Sequence, residues 1–369
     1  MTISRDHLLD WLTLHLTEGL GAAGCRRLVG HFHGPAGVFA APAAELLAVP
    51  GIKRPALEAV LQRQARPKAA GELARLEASG IDLIPWDDPR YPARLRDIPH
   101  PPALLYVKGD GGCLNAPCLA MVGSRAATSY GRRIAGQLAR TLAGRGFTVV
   151  SGLALGIDAE AHQGALAAGG RTIAVLGCGL NLIYPSDNQR LFKAIPEAGA
   201  IVSEYPLDTK PDGFRFPARN RIISGLSLGV IVVEATPRSG SLITAQHALE
   251  QGREVFAVPG QMDSIKSAGS HHLLQQGAKL VMSVEDILAE LPPLEGYGGA
   301  GPATLPGIPA EPLSPEEQQL HNCLDDYPRT IDEIVRDSGL SAAKVNELLL
   351  HLELKGAVEA MPGKNYRRV

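Results

Sequence analysis

Four segments in the middle of the chain combine glycine with hydroxyl or amide side chains. Each follows an apolar run of strand length. They are Val122-Gly123-Ser124-Arg125-Ala126-Ala127-Thr128, Ser151-Gly152-Leu153-Ala154-Leu155-Gly156-Ile157-Asp158, Gly177-Cys178-Gly179-Leu180-Asn181-Leu182-Ile183-Tyr184-Pro185, and Glu234 through Thr244 with Ser239-Gly240-Ser241 at its centre. Glycine lets a backbone approach a ligand closely, and a following helix presents unbonded N–H groups and a positive dipole end. Serine and threonine add hydroxyl donors. Four such turns together point to an anion site, most naturally one for phosphate. The sequence has no GxxxxGK followed by Ser or Thr, which disfavours P-loop hydrolysis of a nucleotide. It also lacks a GxGxxG turn with an acidic residue about 20 positions on, which disfavours a dinucleotide cofactor. We expect no cofactor and no metal.

A basic segment, Phe214-Arg215-Phe216-Pro217-Ala218-Arg219-Asn220-Arg221, packs arginines, an asparagine and aromatics closely together. Arginine pairs bidentately with phosphate and stacks on bases, and phenylalanine offers a stacking face. The plainer reading is that these arginines tie the segment to carboxylates such as Glu204 or Glu234. Arg125 and Lys266 add charge to the same crevice. Asp158 and His162, four apart on a helical pattern, can form an acid–base pair or simply a helix-terminal Asp beside a hydrogen-bonded His. The pair His271-His272 reads as loop or interface histidines. No Ser-His-Asp or Cys-His arrangement is evident.

The elements that must position these residues alternate. Strand candidates are Leu104–Val107, Cys118–Val122, Phe147–Val150, Thr172–Leu176, Ala200–Ser203, Gly229–Val233, Val255–Val258 and Lys279–Met282. Helical patterns lie between them at Tyr130–Ala143, Ile157–Ala168 and Ser241–Gln251. Continuous apolar strands mean both sheet faces are covered, so the expected fold is α/β: an extended Rossmann-like, doubly wound, mostly parallel sheet. Loops at the carboxyl ends of its strands meet in one crevice, where the four glycine turns belong.

Before this core, residues 1–85 read as a helical domain. Leu8, Leu9, Leu12, Leu16 and Leu20 recur near the helical period, and Leu46–Leu61 reads as helix, Pro-Gly turn, helix. Such a hairpin can offer N–H groups to a phosphate, or serve only for packing. The core is expected over 86–291. Pro292–Pro315 is half glycine and proline and reads as a linker. Residues 316–369 read as three helices and a hairpin about Pro362-Gly363, the layout of a winged helix, with Thr330 and Ser341 as helix caps.

Composition bounds the function classes. The 369 residues are 45% hydrophobic and 20% charged, which excludes a mostly disordered chain and leaves room for two or three domains. Net charge is −2, so any nucleic-acid site must be a local patch. Residues 101–291 hold 17 Lys+Arg against 15 Asp+Glu; residues 316–369 hold 7 against 10, with Glu347 and Glu353 on the helix that would read a duplex. That acidity argues against duplex recognition and for protein contact or autoregulation. Five cysteines without metal spacing fit a reducing compartment. No signal peptide or long apolar span is seen, so a cytoplasmic location without membrane contact is expected.

The strings VGSRAATSYG, SGLALGIDAEAH, TIAVLGCGLNLIYP, VSEYP, FPARNRIISGLS, VVEATPRSGSLITAQHALEQGREVFAVPG and SAGSHHLLQQGAKLV, in this order over Leu104–Leu291, resemble the DNA-processing protein A (DprA, or Smf) family. The resemblance implies a non-catalytic homodimer that binds single-stranded DNA during natural transformation, protects it, loads RecA recombinase onto it and works alongside single-strand-binding protein. By motif position it implies a DNA pocket of Ser124, Arg125, Ser151, Gly152, Gly179, Tyr184, Phe216, Arg219, Asn220, Arg221, Ser239, Gly240, Ser241 and Lys266. It places a dimer surface at His271, Leu274 and Leu280. One departure is Ser186-Asp187 after Tyr184-Pro185, where the family often has a basic residue; Arg190 or Lys193 would have to replace it.

Two other readings follow from the same residues. A nucleotide-processing enzyme of phosphoribohydrolase type would need a PGGxGTxxE motif, whereas the comparable loop here is PRSGSLITA, without the matching glutamate. A transcription regulator acting through the winged helix meets the acidic recognition helix.

Overall fold

The computed structural model describes residues 3–292, 313–325, 328–355, 357–361 and 365–368. They fall into two compact units, Met1–Ala303 and Thr304–Val369. Most of the expected linker and the Pro362-Gly363 turn lie outside the described residues.

The first unit opens with six helices: α1 Arg5–His15, α2 Gly21–His31, α3 Pro35–Ala40, α4 Ala43–Leu47, α5 Arg54–Leu61 and α6 Arg66–Ala78. Ser4 caps α1 by accepting from the His7 N–H. Between α4 and α5 the chain turns at Pro50-Gly51, where Gly51 takes φ +75°. The leucine period buries Leu9, Leu12, Leu28, Leu57 and Leu73 around Trp11. The same apolar cluster contains Tyr106, Leu176 and Ile201 from the sheet, so the helices pack onto the core.

The chain continues through β1 Asp82–Pro85, α7 Ala93–Arg96, β2 Leu104–Gly109, β3 Cys118–Val122, α8 Ser129–Gly144, β4 Thr148–Ser151, α9 Ile157–Ala167 and β5 Thr172–Leu176. Next come α10 Gln189–Ala198, β6 Ala200–Ser203, α11 Arg215–Leu226, β7 Gly229–Val232, α12 Gly240–Glu250, β8 Glu254–Ala257, α13 Ala268–Gln275, β9 Lys279–Leu280 and α14 Val284–Leu288. Among the described residues these strands form one sheet in the order β1-β2-β6-β5-β4-β3-β7-β8-β9. From β6 to β9 every pairing is parallel, while β1 and β2 join antiparallel at one edge. This is the doubly wound sheet expected from the apolar runs. Strands β3 to β6 advance one way and β7 to β9 the other. The winding reverses beside β3, where a crevice must open at the carboxyl ends of β3, β4 and β7.

Both faces are covered. Helices α8, α9 and α14 pack through Leu138, Leu142, Ile157 and Ile287 on one face; α11, α12 and α13 pack through Ile222, Ile223, Ala245 and Leu273 on the other. Two details differ from the sequence pattern. Strand β1 carries too short an apolar run to announce itself. Strand β9 pairs over only two residues, because the Asp286 carboxylate accepts the N–H groups of Met282 and Ser283 and turns the chain into α14.

The second unit contains α15 Pro315–Asn322, β10 Arg329–Thr330, α16 Ile331–Ser338, α17 Ala342–Leu354, β11 Val358–Met361 and β12 Asn365–Arg368. Thr330 and Ser341 cap α16 and α17 as expected, accepting from Glu333 and Lys344 N–H groups. The strands pair in the order β10-β12-β11, a winged helix-turn-helix around Leu320, Ile334, Val345, Leu349 and Leu352. No helix among the described residues is long and apolar enough to cross a membrane.

Candidate nucleic-acid interface

The crevice is an open cleft of about 680 Å³. Its walls come from the loops after β3, β4, β5, β6 and β7, from the start of α12, and from one face of α11. The basic segment is helical rather than a loop. Pro217 falls in the first turn of α11, where a missing N–H costs no intrahelical bond. Helical spacing then sorts the side chains. Phe216, Arg219, Asn220 and Ile223 share one face and line the cleft, while Arg221 points elsewhere.

Arg125 is exposed at the rim, with its guanidinium carbon 5.5 Å from the Phe216 ring centroid. Phe216 stacks on Tyr184, centroids 5.4 Å apart and ring planes 26° from parallel. The result is a cluster of one cation and two rings on the cleft wall. Arg219 lies beside it, 5% exposed. Its Nη1 donates to the carbonyls of Gly152, at 2.9 Å, and Val175, and its Nε to Asn220 Oδ1 at 3.2 Å. Burial lowers its pKa to about 10, opposed by the pull of Asp158, so it remains charged near neutrality. A Cβ on residue 152 would fall 2.5 Å from the Arg219 Nη2, so any side chain there would push the guanidinium out of its place.

Across the cleft, Ser239 caps α12. Its hydroxyl accepts from Ser241 N–H and shares a 2.7 Å hydrogen bond with the Ser241 hydroxyl. Asn220 Nδ2 donates to the Gly240 carbonyl at 3.2 Å, locking α11 to α12. Thus the cleft offers an exposed guanidinium, a buried one, stacked rings, hydroxyls and a helix N-terminus. Its lining also includes Asp158 and Asp212. Burial pushes the Asp158 carboxyl up from its ordinary range, with Arg219 pulling the other way; it accepts from the N–H groups of Gly152 and Ala154.

Of the residues expected at the site, the structure gathers Ser124, Arg125, Gly152, Tyr184, Phe216, Arg219, Asn220, Ser239, Gly240 and Ser241 around this cleft and its small annex. It places four others outside the lining. The Ser151 hydroxyl is buried and donates to Met121 O. Gly179 is buried, and a Cβ there would strike the carbonyls of Pro206 and Leu207. Arg221 forms a bidentate ion pair with Glu204, both bonds 2.6 Å, as the plainer reading of the basic segment had it. Lys266 donates to the Ala126 carbonyl. Neither Arg190 nor Lys193 lines the cleft. Glu234 accepts from Thr128 N–H and its hydroxyl rather than from an arginine.

Asp158 and His162 do not pair; His162 Nδ1 lies 2.7 Å from the Thr172 hydroxyl, fully buried. Sequence reasoning missed Asp212 as a lining residue, and singled out Thr236 and Thr244 only as members of the segment Glu234 through Thr244. Thr244 was legible from helical spacing to Ser241, whereas Asp212 depends on how the loop before α11 folds back. No group of His, Cys, Asp and Glu suited to a metal occurs among the described residues.

Comparison with known proteins bears on this cleft. Residues 82–292 match the model of the family described as DNA recombination-mediator protein A, and residues 306–364 match the DprA winged helix domain. The chain is 36% identical to Protein Smf of Synechocystis over 97% of this chain and 98% of that one. It is 44% identical to Protein Smf of Escherichia coli over 81% and 80% of the two chains. Among solved structures, DNA processing protein A of Streptococcus pneumoniae superposes with TM-score 0.69 at 38% identity, covering 80% of this chain and all of that one. DNA processing protein A of Helicobacter pylori, solved for its single-stranded DNA binding mode, matches with TM-score 0.50 at 34% identity over 54% and 91% of the two chains. With the family model matched over more than half of the chain and relatives similar over most of their length, the chain belongs to the DNA recombination-mediator protein A (DprA/Smf) family.

Proposed function

We infer that the cleft binds single-stranded DNA without transforming it. The observation that carries this is the Arg125–Phe216–Tyr184 cluster beside buried Arg219. An unpaired base has a face free to stack on an aromatic ring, and a phosphate beside it meets a guanidinium. A duplex hides its base faces. The Helicobacter pylori relative, solved for its single-stranded DNA binding mode, supports the same choice. The backbone carries the affinity, so binding weakens as salt rises.

Family membership supports a role as recombination mediator: the bound strand is protected and handed to RecA recombinase, alongside single-strand-binding protein. A homodimer fits the exposed apolar edge near β9. There Leu280 is 43% exposed and Met282 80%, beside partly buried Leu274 and His271, whose Nε2 sits 3.1 Å from the Gly260 carbonyl. Two cleft sites on one strand raise effective concentration.

The test is a fluorescence titration with matched single- and double-stranded oligonucleotides at two salt concentrations, with a nucleotide-turnover assay alongside. Preference for the single strand, lost in Arg125→Ala, is expected. Equal binding of duplex, unchanged binding in Arg125→Ala, or turnover of nucleoside monophosphate would overturn the reading.

A further inference from the structure

The cleft is poor in net charge for a polyanion site: Arg125 and Arg219 are set against Asp158 and Asp212. A second concave surface supplies what it lacks. Helices α8 and α9 cross closely because Gly164 has no side chain; a Cβ there would lie 2.4 Å from the Gly136 carbonyl. Their outer faces leave a groove of about 400 Å³, lined by Arg132, Arg133, Gln137, Arg140, Glu160 and Gln163.

Three guanidiniums face one carboxylate there. Arg132 is only loosely held by Glu160, at 3.7 Å. The Arg140 side chain is exposed and makes no ion pair or hydrogen bond among the described residues. Arg132, Gly136 and Arg140 follow one ridge of α8, and the row spans about 12 Å at 1.5 Å per residue. The ridge starts close to the cleft along the chain: Arg132 Nε donates back to the carbonyl of Ala127, next to the cleft-lining Ala126. No aromatic side chain lines the groove, so it has nothing on which a base could stack.

We propose that the α8–α9 groove is a second nucleic-acid contact, taking the sugar–phosphate backbone of a single strand as it leaves the cleft. The proposal rests on the cleft reading for its direction of approach. It divides the labour: the cleft grips bases and phosphate, and the groove grips phosphate alone. The groove contact is therefore indifferent to sequence, sensitive to salt, and reached only by strands longer than the cleft holds.

The experiment uses the full chain, the double variant Arg132→Gln/Arg140→Gln, the charge-keeping variant Arg132→Lys/Arg140→Lys, and the cleft variant Phe216→Ala. Probes are oligothymidylates of about 6 and about 20 nucleotides, bracketing a single-strand site. For each pair the slope of log affinity against log salt is measured, and thermal melting verifies folding. Losing two phosphate contacts lowers the long-probe slope by about 1.4, at about 0.7 per contact. The expected result is that loss in the Gln variant only, with the Lys variant and the short probe unchanged. An unchanged long-probe slope in the Gln variant overturns the groove proposal. An equal loss with the short probe also overturns it, because the arginines would then belong to the cleft. The cleft reading fails separately, if Phe216→Ala leaves the short probe bound as before.

Discussion

Replacing Phe216 by alanine separates stacking from charge. The ring centroid lies 5.5 Å from the Arg125 guanidinium carbon and 5.4 Å from the Tyr184 ring centroid. Removing it deletes a face on which a base can stack, worth about 1–3 kcal/mol. It also releases Arg125 from a cation–π contact worth about 0.5–1 kcal/mol. That contact exists without DNA as well, so the loss in affinity for oligothymidylate is the stacking share, about 1–3 kcal/mol, or roughly five-fold to about 150-fold. No charge is removed, so the slope of log affinity against log salt should stay as it is. Phe216→Tyr keeps the ring and should bind as the unaltered chain does. Fluorescence anisotropy with a labelled oligothymidylate across a salt series measures both quantities. Wild-type affinity in Phe216→Ala would refute the stacking argument. So would a slope reduced by a full phosphate contact, since the ring would then act only by placing Arg125. Phe216 is partly exposed, so melting should shift little.

Three further outcomes follow. Arg221→Ala breaks a bidentate pair whose side chains are 15% and 13% exposed, and should lower folding stability by about 2–3 kcal/mol in denaturant titration, between the values for surface and buried pairs. It should leave short-strand affinity unchanged, and a large affinity loss at unchanged stability would put Arg221 back in the cleft. Burial, aided by the Arg219 charge, pushes the His162 pKa down to about 3, against about 6.5 in an unfolded chain. The unfolded chain therefore gains a proton first, and stability present above pH 6.5 drains away as pH falls toward 3, by about 2 kcal/mol between pH 7 and pH 5. His162→Asn should lose that much less over the same interval; an identical loss in both proteins would remove His162 as the cause. Leu280→Arg, placed on the exposed edge strand β9, should yield monomers by light scattering, and a persisting dimer would reject that edge as the interface.

How much was legible in the sequence differs by element. Apolar runs such as Cys118–Val122 and Thr172–Leu176 marked their strands because a strand covered on both faces has no polar position. Thr330 and Ser341 marked helix starts because their hydroxyls satisfy local N–H groups, a bond decided within four residues. Segment Phe214–Arg221 was legible as chemistry but not as geometry. Type and spacing said guanidinium and ring; only the helix showed that Phe216 and Arg219 share a face that Arg221 does not.

The sequence by itself determined the local choices: which residues become strand, cap, turn or first helical turn, and which segments carry the groups an anion needs. Tertiary structure alone decided the allegiance of each charge. Arg221 is spent on Glu204, seventeen residues away, while Arg219 is held under the cleft by carbonyls from two other strands' ends. Likewise, the groove between α8 and α9 exists only because Gly164 meets the backbone at Gly136. Hydrogen bonds, ion pairs and close approaches of this kind join residues far apart in the chain, and no period or spacing encodes them, because their partners are chosen by packing.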